Sequence, residues 1–174
     1  MANKQMSNPE LAIMDFHDKF PLYDQYFLME NDVFTKGSYR SIFEVIQSYP
    51  QEYLAHQIRN SKSDLILTGE ENCWISKPRG FPGNIVWMAN HPLIRFSKNA
   101  ISIMDQEFSC GMYGFCEILI PSILIGKYSL THFDMYSMGI SRYADLNRQI
   151  INKQHYNDIP VDNILHHHIK GYDE

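Results

Sequence analysis

The chain has 174 residues, 44% of them hydrophobic and 13% aromatic, enough for one domain with a substantial core and too apolar for a disordered chain. Fifteen Lys and Arg against 20 Asp and Glu give a formal charge of -5, which argues against nucleic acid as the main partner. Cys73, Cys110 and Cys116 form no CxxC pair and one must stay unpaired, so a disulfide scaffold is not expected and a reducing, cytoplasmic setting is. Residues 1–10 are polar and lack the apolar stretch of a secretory signal, and the most apolar run, Ile118 to Ile125, is interrupted by Pro121 and too short for a transmembrane segment.

Leu11, Ile13, Met14, Phe16 and Phe20 recur at roughly helical spacing after Asn8-Pro9-Glu10, which predicts a short first helix. Pro21 breaks it, and Tyr26-Phe27-Leu28-Met29 has the size and composition of a buried strand. That strand ends on Glu30-Asn31-Asp32. Beyond the turn at Gly37, the residues Tyr39, Ile42, Phe43, Ile46 and Tyr49 share one helical face, and Pro50 stops the helix. Leu65 to Thr68 reads as a second buried strand, delivering Glu70 and Glu71 past its end, with Asp64 a further acid nearby.

Lys77 to Asn84 is rich in Pro and Gly and is expected to be a loop, with Trp74, Phe81 and Trp87 around it more suited to the core than to a ligand. Ser97 is a good N-cap for a helix presenting Ala100, Ile101, Met104 and Phe108 inward. After Gly111 and Gly114, Glu117 to Ile125 is expected to be a buried helix bent near Pro121. Asn147 to Asp162 is polar and gives no clear pattern.

Two carboxylates one residue apart at the end of a strand suit a hard divalent cation, although such pairs are common and more often form a solvated turn. Glu117 opens an apolar run, where it is either an acid favoured by a helix N-terminus or an inward-facing general base. Among His166, His167 and His168, neighbours on an extended chain face opposite sides, so either the outer pair or His167 alone can serve one site. Cys116 has no evident His partner, and Ser122 lacks a G-x-S-x-G context.

Three stretches carry a family resemblance. Tyr26-Phe27-Leu28-Met29-Glu30-Asn31-Asp32-Val33-Phe34-Thr35-Lys36-Gly37 resembles the D-x-D-type segment of GT-A glycosyltransferases, with Glu and Asn at its first two positions. Arg95-Phe96-Ser97, followed by Gly111-Met112-Tyr113-Gly114-Phe115-Cys116-Glu117-Ile118-Leu119-Ile120-Pro121, is similar to the acceptor-side half of such enzymes. His166-His167-His168-Ile169-Lys170 resembles a C-terminal His-Pro-Val-Lys pattern in uncharacterised relatives, His167 matching the His and His168 replacing the Pro.

The resemblance implies an α/β, partial or reduced GT-A-like (nucleotide-diphospho-sugar transferase) sheet with flanking helices, forming a single domain over residues 1–174. It implies metal-assisted transfer of a sugar from a nucleotide-diphosphate donor to a glycan or other hydroxyl acceptor, as in polysaccharide synthesis. Glu30, Asp32 and His167 would hold Mn2+ or Mg2+, Glu117 would be the base, and Arg95 and Lys170 would contact the donor. Only 29 residues precede Glu30, leaving no room for the βαβ segment that binds the nucleotide in that family. The expectation is therefore a domain incomplete at its N-terminus, or one whose donor site a partner chain or oligomer completes. The alternatives are a noncatalytic binding module or partner subunit of the same fold and, from a different class, a metal-dependent hydrolase in which His166 or His168 meets two acids.

Overall fold

A computed structural model describes residues 10–62, 78–143 and 162–167 of the chain. Its main sheet has four strands, β1 (Gln25–Met29), β2 (Tyr53–Asn60), β3 (Trp87–Ser97) and β4 (His132–Asp134), in the order β1-β3-β2-β4. β3 runs antiparallel to both β1 and β2, whereas β4 lies parallel to β2, so the sheet is mixed. A parallel pair, β5 (Ser141–Tyr143) with β6 (Leu165–His167), forms a second small sheet. The class is α/β, as expected.

Helices cover both faces. The larger core sits where α1 (Glu10–Lys19), α3 (Lys98–Ser109) and α4 (Cys116–Pro121) meet one face of the sheet through Ile13, Tyr26, Tyr53, Ile94, Phe96, Ile101, Met104 and Leu119. On the other face, Ile42 and Ile46 of α2 (Tyr39–Gln47) close over Leu54, Leu93, Val33, Met135 and Leu165. Burying each such aliphatic side chain stabilises the fold by about 1.5–3 kcal/mol before conformational entropy is charged against it.

The helix signals operate as local chemistry predicts. Ser38 and Ser97 cap α2 and α3, their side chains accepting from Ser41 N at 3.3 Å and Ala100 N at 3.0 Å. α3 buries Ala100, Ile101 and Met104, with Glu107 rather than Phe108 as the fourth fully buried position. Glu107 tolerates burial because Lys127 Nζ reaches both its oxygens at 2.6 Å and Tyr128 donates to it. α4 gives way after Pro121 to a π-helical turn, Ser122–Lys127. Proline has no N–H to donate, so the helical ladder must be interrupted there.

β2 and β3, the two central strands, are not evident from the sequence pattern. They are buried on both faces and carry His56, His91 and Arg95 inside, so neither alternates apolar with polar. Pro92 falls where β3 loses register with β2. The loop from Pro78 is pinned inward by Phe81, which belongs to the larger core, and Trp87 packs beside it and against His132 at 5.5 Å. The strand expected over Leu65 to Thr68, together with Asp64, Glu70, Glu71, Trp74, His168 and Lys170, lies outside the described residues, as does most of Asn147 to Asp162.

Candidate metal and proton-transfer site

β1 ends at Met29, and Glu30 N then donates to Pro92 O at 2.8 Å, which fixes the first acid at the rim of the sheet. Asp32 follows in a tight turn. His167 arrives from more than 130 positions away because the segment after Asp32 is laced to the β6 strand. Phe34 and His166 exchange backbone hydrogen bonds of 2.8 and 2.7 Å, Thr35 Oγ1 donates to Asp162 O at 3.1 Å, and Ser38 N donates to Asn163 Oδ1 at 2.8 Å. Gly37 is required at the crossing, since a Cβ there would stand 2.0 Å from Asp162 O.

The lacing sets His167 Nε2 at 2.8 Å from Glu30 Oε2 and 3.5 Å from Asp32 Oδ1. One ligand atom from each of the three residues lies within 4.8 Å of the others. Two ligands bonded to one cation at about 2.1 Å and meeting at 90–109° stand about 3.0–3.4 Å apart, so small rotations of these side chains suffice for coordination. Two carboxylates and one imidazole are ligand types that suit a divalent cation. Side-chain exposures of 41% for Glu30, 22% for Asp32 and 8% for His167 open the cluster to solvent from the Glu30 side. His166 turns elsewhere, its Nε2 3.7 Å from Asp162 Oδ1. Of the two histidine geometries left open by the sequence, this is the His167 one.

Glu117 enters from α4. It lies in the first turn of that helix, half-buried, and Oε1 accepts from His91 N at 3.2 Å. Burial pushes its carboxyl above the ordinary carboxylate range; the His91 N–H opposes that shift, Glu30 adds to it, and His167 and Arg59 draw it back. Glu117 is thus a helix N-terminal acid whose carboxyl also feels the charges of Glu30 and His167. Cys116 beside it is a poor nucleophile, because burial, with Glu10 and Glu117 adding to it, pushes its thiol up to about 12.

The central strands β2 and β3 carry buried polar residues that the sequence reading overlooked. His91 Nε2 is 2.9 Å from Tyr53 Oη, and both residues are buried. His56 is buried beside them; desolvation first, and then the charge of His167, depress it to about 4. Desolvation and then His56 depress His91 to about 3. Both imidazoles are therefore neutral at physiological pH. The available signal was the presence of His56 in Tyr-Leu-Ala-His and of His91 before Pro-Leu-Ile, polar residues set in otherwise apolar runs.

Arg95 is not brought to this cluster. It pairs in register with Phe27 and Leu54 on the face closed by α2, is fully buried, and donates to Gln51 O near the end of β3 remote from Pro92 and Glu30. Burial lowers its pKa to about 10, which leaves it charged. Its role is to satisfy the backbone inside the sheet. A separate cavity of about 520 Å3 lies against Glu10, Phe108, Met112, Tyr113 and Leu119, none of them cluster residues.

Comparison with protein-family models, curated proteins and solved structures finds no match to this chain. No helix among the described residues is long and apolar enough to cross a membrane.

Proposed function

We propose that the chain is a GT-A-like glycosyltransferase, moving a sugar from a nucleotide-diphosphate donor to a hydroxyl acceptor with Glu30, Asp32 and His167 as metal ligands and Glu117 as general base. The observation that supports this reading is that two separate stretches with the GT-A resemblance bring Glu30, Asp32 and His167 within 4.8 Å of one another, while the carboxyl of Glu117, from a third, feels the charges of Glu30 and His167. Glu30 and Asp32 come from the end of β1, Glu117 from the start of α4 and His167 from β6.

When bound, a divalent ion at Glu30, Asp32 and His167 supplies positive charge for the diphosphate leaving group. The chain's own residues do the remaining work. The two carboxylates neutralise the ion, and His167, held by the crossing at Gly37, completes the ligand set without adding charge. Glu117 accepts the acceptor hydroxyl's proton as its oxygen attacks the anomeric carbon, and its partial burial raises its proton affinity towards that task. The His91 N–H holds one oxygen of that carboxylate.

The test is calorimetric titration of the full chain with UDP and with GDP, with and without Mn2+, repeated on Asp32→Ala. Metal-dependent nucleotide binding that Asp32→Ala abolishes is the expected result. Absence of nucleotide binding under every condition overturns transfer by this chain alone.

A further inference from the structure

The cavity of about 520 Å3 takes no part in the chemistry above. Met112 and Leu119, 7% and 3% exposed, line it together with the part-buried Phe108 and with Glu10. The lining side chains that reach solvent most are Leu11 and Tyr113, 47% and 54% exposed. Close-packed interiors leave few voids larger than a water molecule, whereas small-molecule sites are concave, mostly apolar and about 300–1,000 Å3 in volume. This cavity has the size and the lining of the second kind.

A cation is tethered to its wall. Arg79 N donates to Tyr113 O at 2.9 Å and Tyr113 N donates to Arg79 O at 3.3 Å, which binds the Pro78 loop to the Tyr113 segment as an antiparallel bridge. The lack of a side chain at Gly114 suits this approach, since a Cβ there would stand 3.2 Å from Pro78 Cα. The bridge lays the guanidinium on the Tyr113 side chain: Nη1 donates to Tyr113 Oη, and Cζ lies 5.3 Å from the ring centroid. An exposed arginine ordinarily samples many rotamers, but here backbone, hydroxyl and ring hold one at the solvent side of the cavity. Among the described residues no carboxylate pairs with Arg79, and a guanidinium has further N–H donors beyond the one given to Tyr113.

We propose that this cavity binds an amphiphile with a single anionic head, its alkyl chain lying among Leu11, Phe108, Met112 and Leu119 and its carboxylate or phosphate held by Arg79 and Tyr113. The paired N–H donors of a guanidinium match two oxygens of such a head, and Tyr113 Oη, which accepts from Arg79, keeps its own proton to donate. At roughly 30 Å3 per methylene, about the share of a water molecule in the liquid, a chain of about ten carbons fits the volume. Glu10 is the acid on the wall; burial pushes it up to about 7, so near pH ~6 its carboxyl is largely protonated and opposes an anion little. The site does not depend on the glycosyl-transfer reading, because none of its residues belongs to the Glu30, Asp32 and His167 cluster.

The experiment titrates the full chain at pH ~6 with decanoate, decyl phosphate, decanol and decylamine, each below its micellar concentration, and repeats the series on Arg79→Gln and Arg79→Lys. At least one of the two anions is expected to bind the wild type about tenfold or more tightly than decanol, with decylamine no tighter than decanol. The tighter anion identifies the head as carboxylate or phosphate. In Arg79→Gln the preference for an anion should shrink to less than about threefold while decanol affinity stays at the wild-type value, and Arg79→Lys should keep part of the preference. A preference that survives intact in folded Arg79→Gln overturns the proposal, as does a wild type that binds none of the four compounds or binds decylamine most tightly. Melting curves report whether each variant is folded. If Arg79→Gln does not fold, the wild type still decides, since equal affinity for decanol and both anions overturns the anionic head.

Discussion

His167 Nε2 lies 2.8 Å from Glu30 Oε2, although 137 positions separate the two residues in the chain. Before any ion arrives, that contact is a hydrogen bond between an imidazole and a carboxylate. An ion entering between them replaces it, so metal binding competes with a pre-existing interaction and uses the same atoms. Titration of the wild type with Mn2+ is expected to give a single site, and His167→Ala and Asp32→Asn are each expected to weaken it at least tenfold, about 1.4 kcal/mol. Mn2+ at one hundred times the wild-type Kd should also raise the thermal midpoint of the wild type more than those of the variants, because a ligand that binds only the folded state stabilises it by about 2.7 kcal/mol there and by about 1.4 kcal/mol at ten times its Kd. Equal Mn2+ affinity in all three proteins would remove the cluster from consideration as a metal site.

Gly37 connects this geometry to the backbone. A methyl group there meets Asp162 O at 2.0 Å and Asn163 Oδ1 at 2.5 Å, so Gly37→Ala must push β6 away from the Phe34 segment. The expected consequence is loss of the Phe34–His166 bridge and displacement of His167, with destabilisation of about 1–3 kcal/mol. Metal affinity should fall by a factor close to that of His167→Ala, although residue 37 contributes no ligand. Paired chemical denaturation and Mn2+ titration would measure this. A destabilised variant with wild-type metal affinity would show that His167 is held by something other than this crossing.

Helices α1 to α4 and strand β1 were legible in the sequence because each carries a local signal: a capping serine, a proline stop, an apolar stripe or a short aromatic run ending in acids. β2 and β3 were not, and they are the centre of the sheet. Their interior contains a neutral histidine pair and a buried arginine, and they pair through bulges, so what determines them is nonlocal. The acids at 30 and 32 and the histidine at 167 were readable as chemistry, but their proximity depends on the Gly37 crossing, which only the fold reveals. Nothing in Arg-Phe-Ser indicates which face of a strand the Arg95 guanidinium occupies, and the fold buries it against Gln51 O, away from Glu30.

Glu117→Gln separates proton transfer from binding. The amide keeps the size of the carboxyl and its oxygen can still accept from His91 N, so folding and Mn2+ affinity should stay near wild type. Turnover with a competent donor and acceptor is expected to fall by about 10²–10⁴, the usual contribution of a positioned general base. In the wild type, turnover should rise with pH through the Glu117 pKa, which burial holds above 4.5, and the variant should lack that limb. A variant that turns over at the wild-type rate would exclude Glu117 as the base.

The buried histidines give the fold its own pH dependence. His56 and His91 hold folded-state pKa values of about 4 and about 3 against 6.5 when solvated, so between those limits the unfolded chain carries more protons and stability falls as pH falls. Glu10 acts in the opposite sense: burial raises it from 4.5 to about 7, so the folded chain carries its extra proton in that window and loses the associated stability as pH rises through 7. The smaller upward shift of Glu117 adds to the Glu10 effect near the bottom of the window. Two histidines against one dominant carboxyl leave about one net proton near pH ~5, a slope of about 1.4 kcal/mol per pH unit, which falls towards zero by pH ~6.5 as the unfolded histidines lose their protons. His91→Gln isolates one term, because glutamine can still bond Tyr53 Oη but cannot titrate. Urea denaturation across this range should show the wild type losing stability on acidification and His91→Gln losing less, with the two profiles diverging by up to about 1.4 kcal/mol per unit below pH ~6. Parallel profiles would mean that His91 is protonated as readily in the folded chain as in the unfolded one, and the neutral histidine pair of β2 and β3 would have to be abandoned.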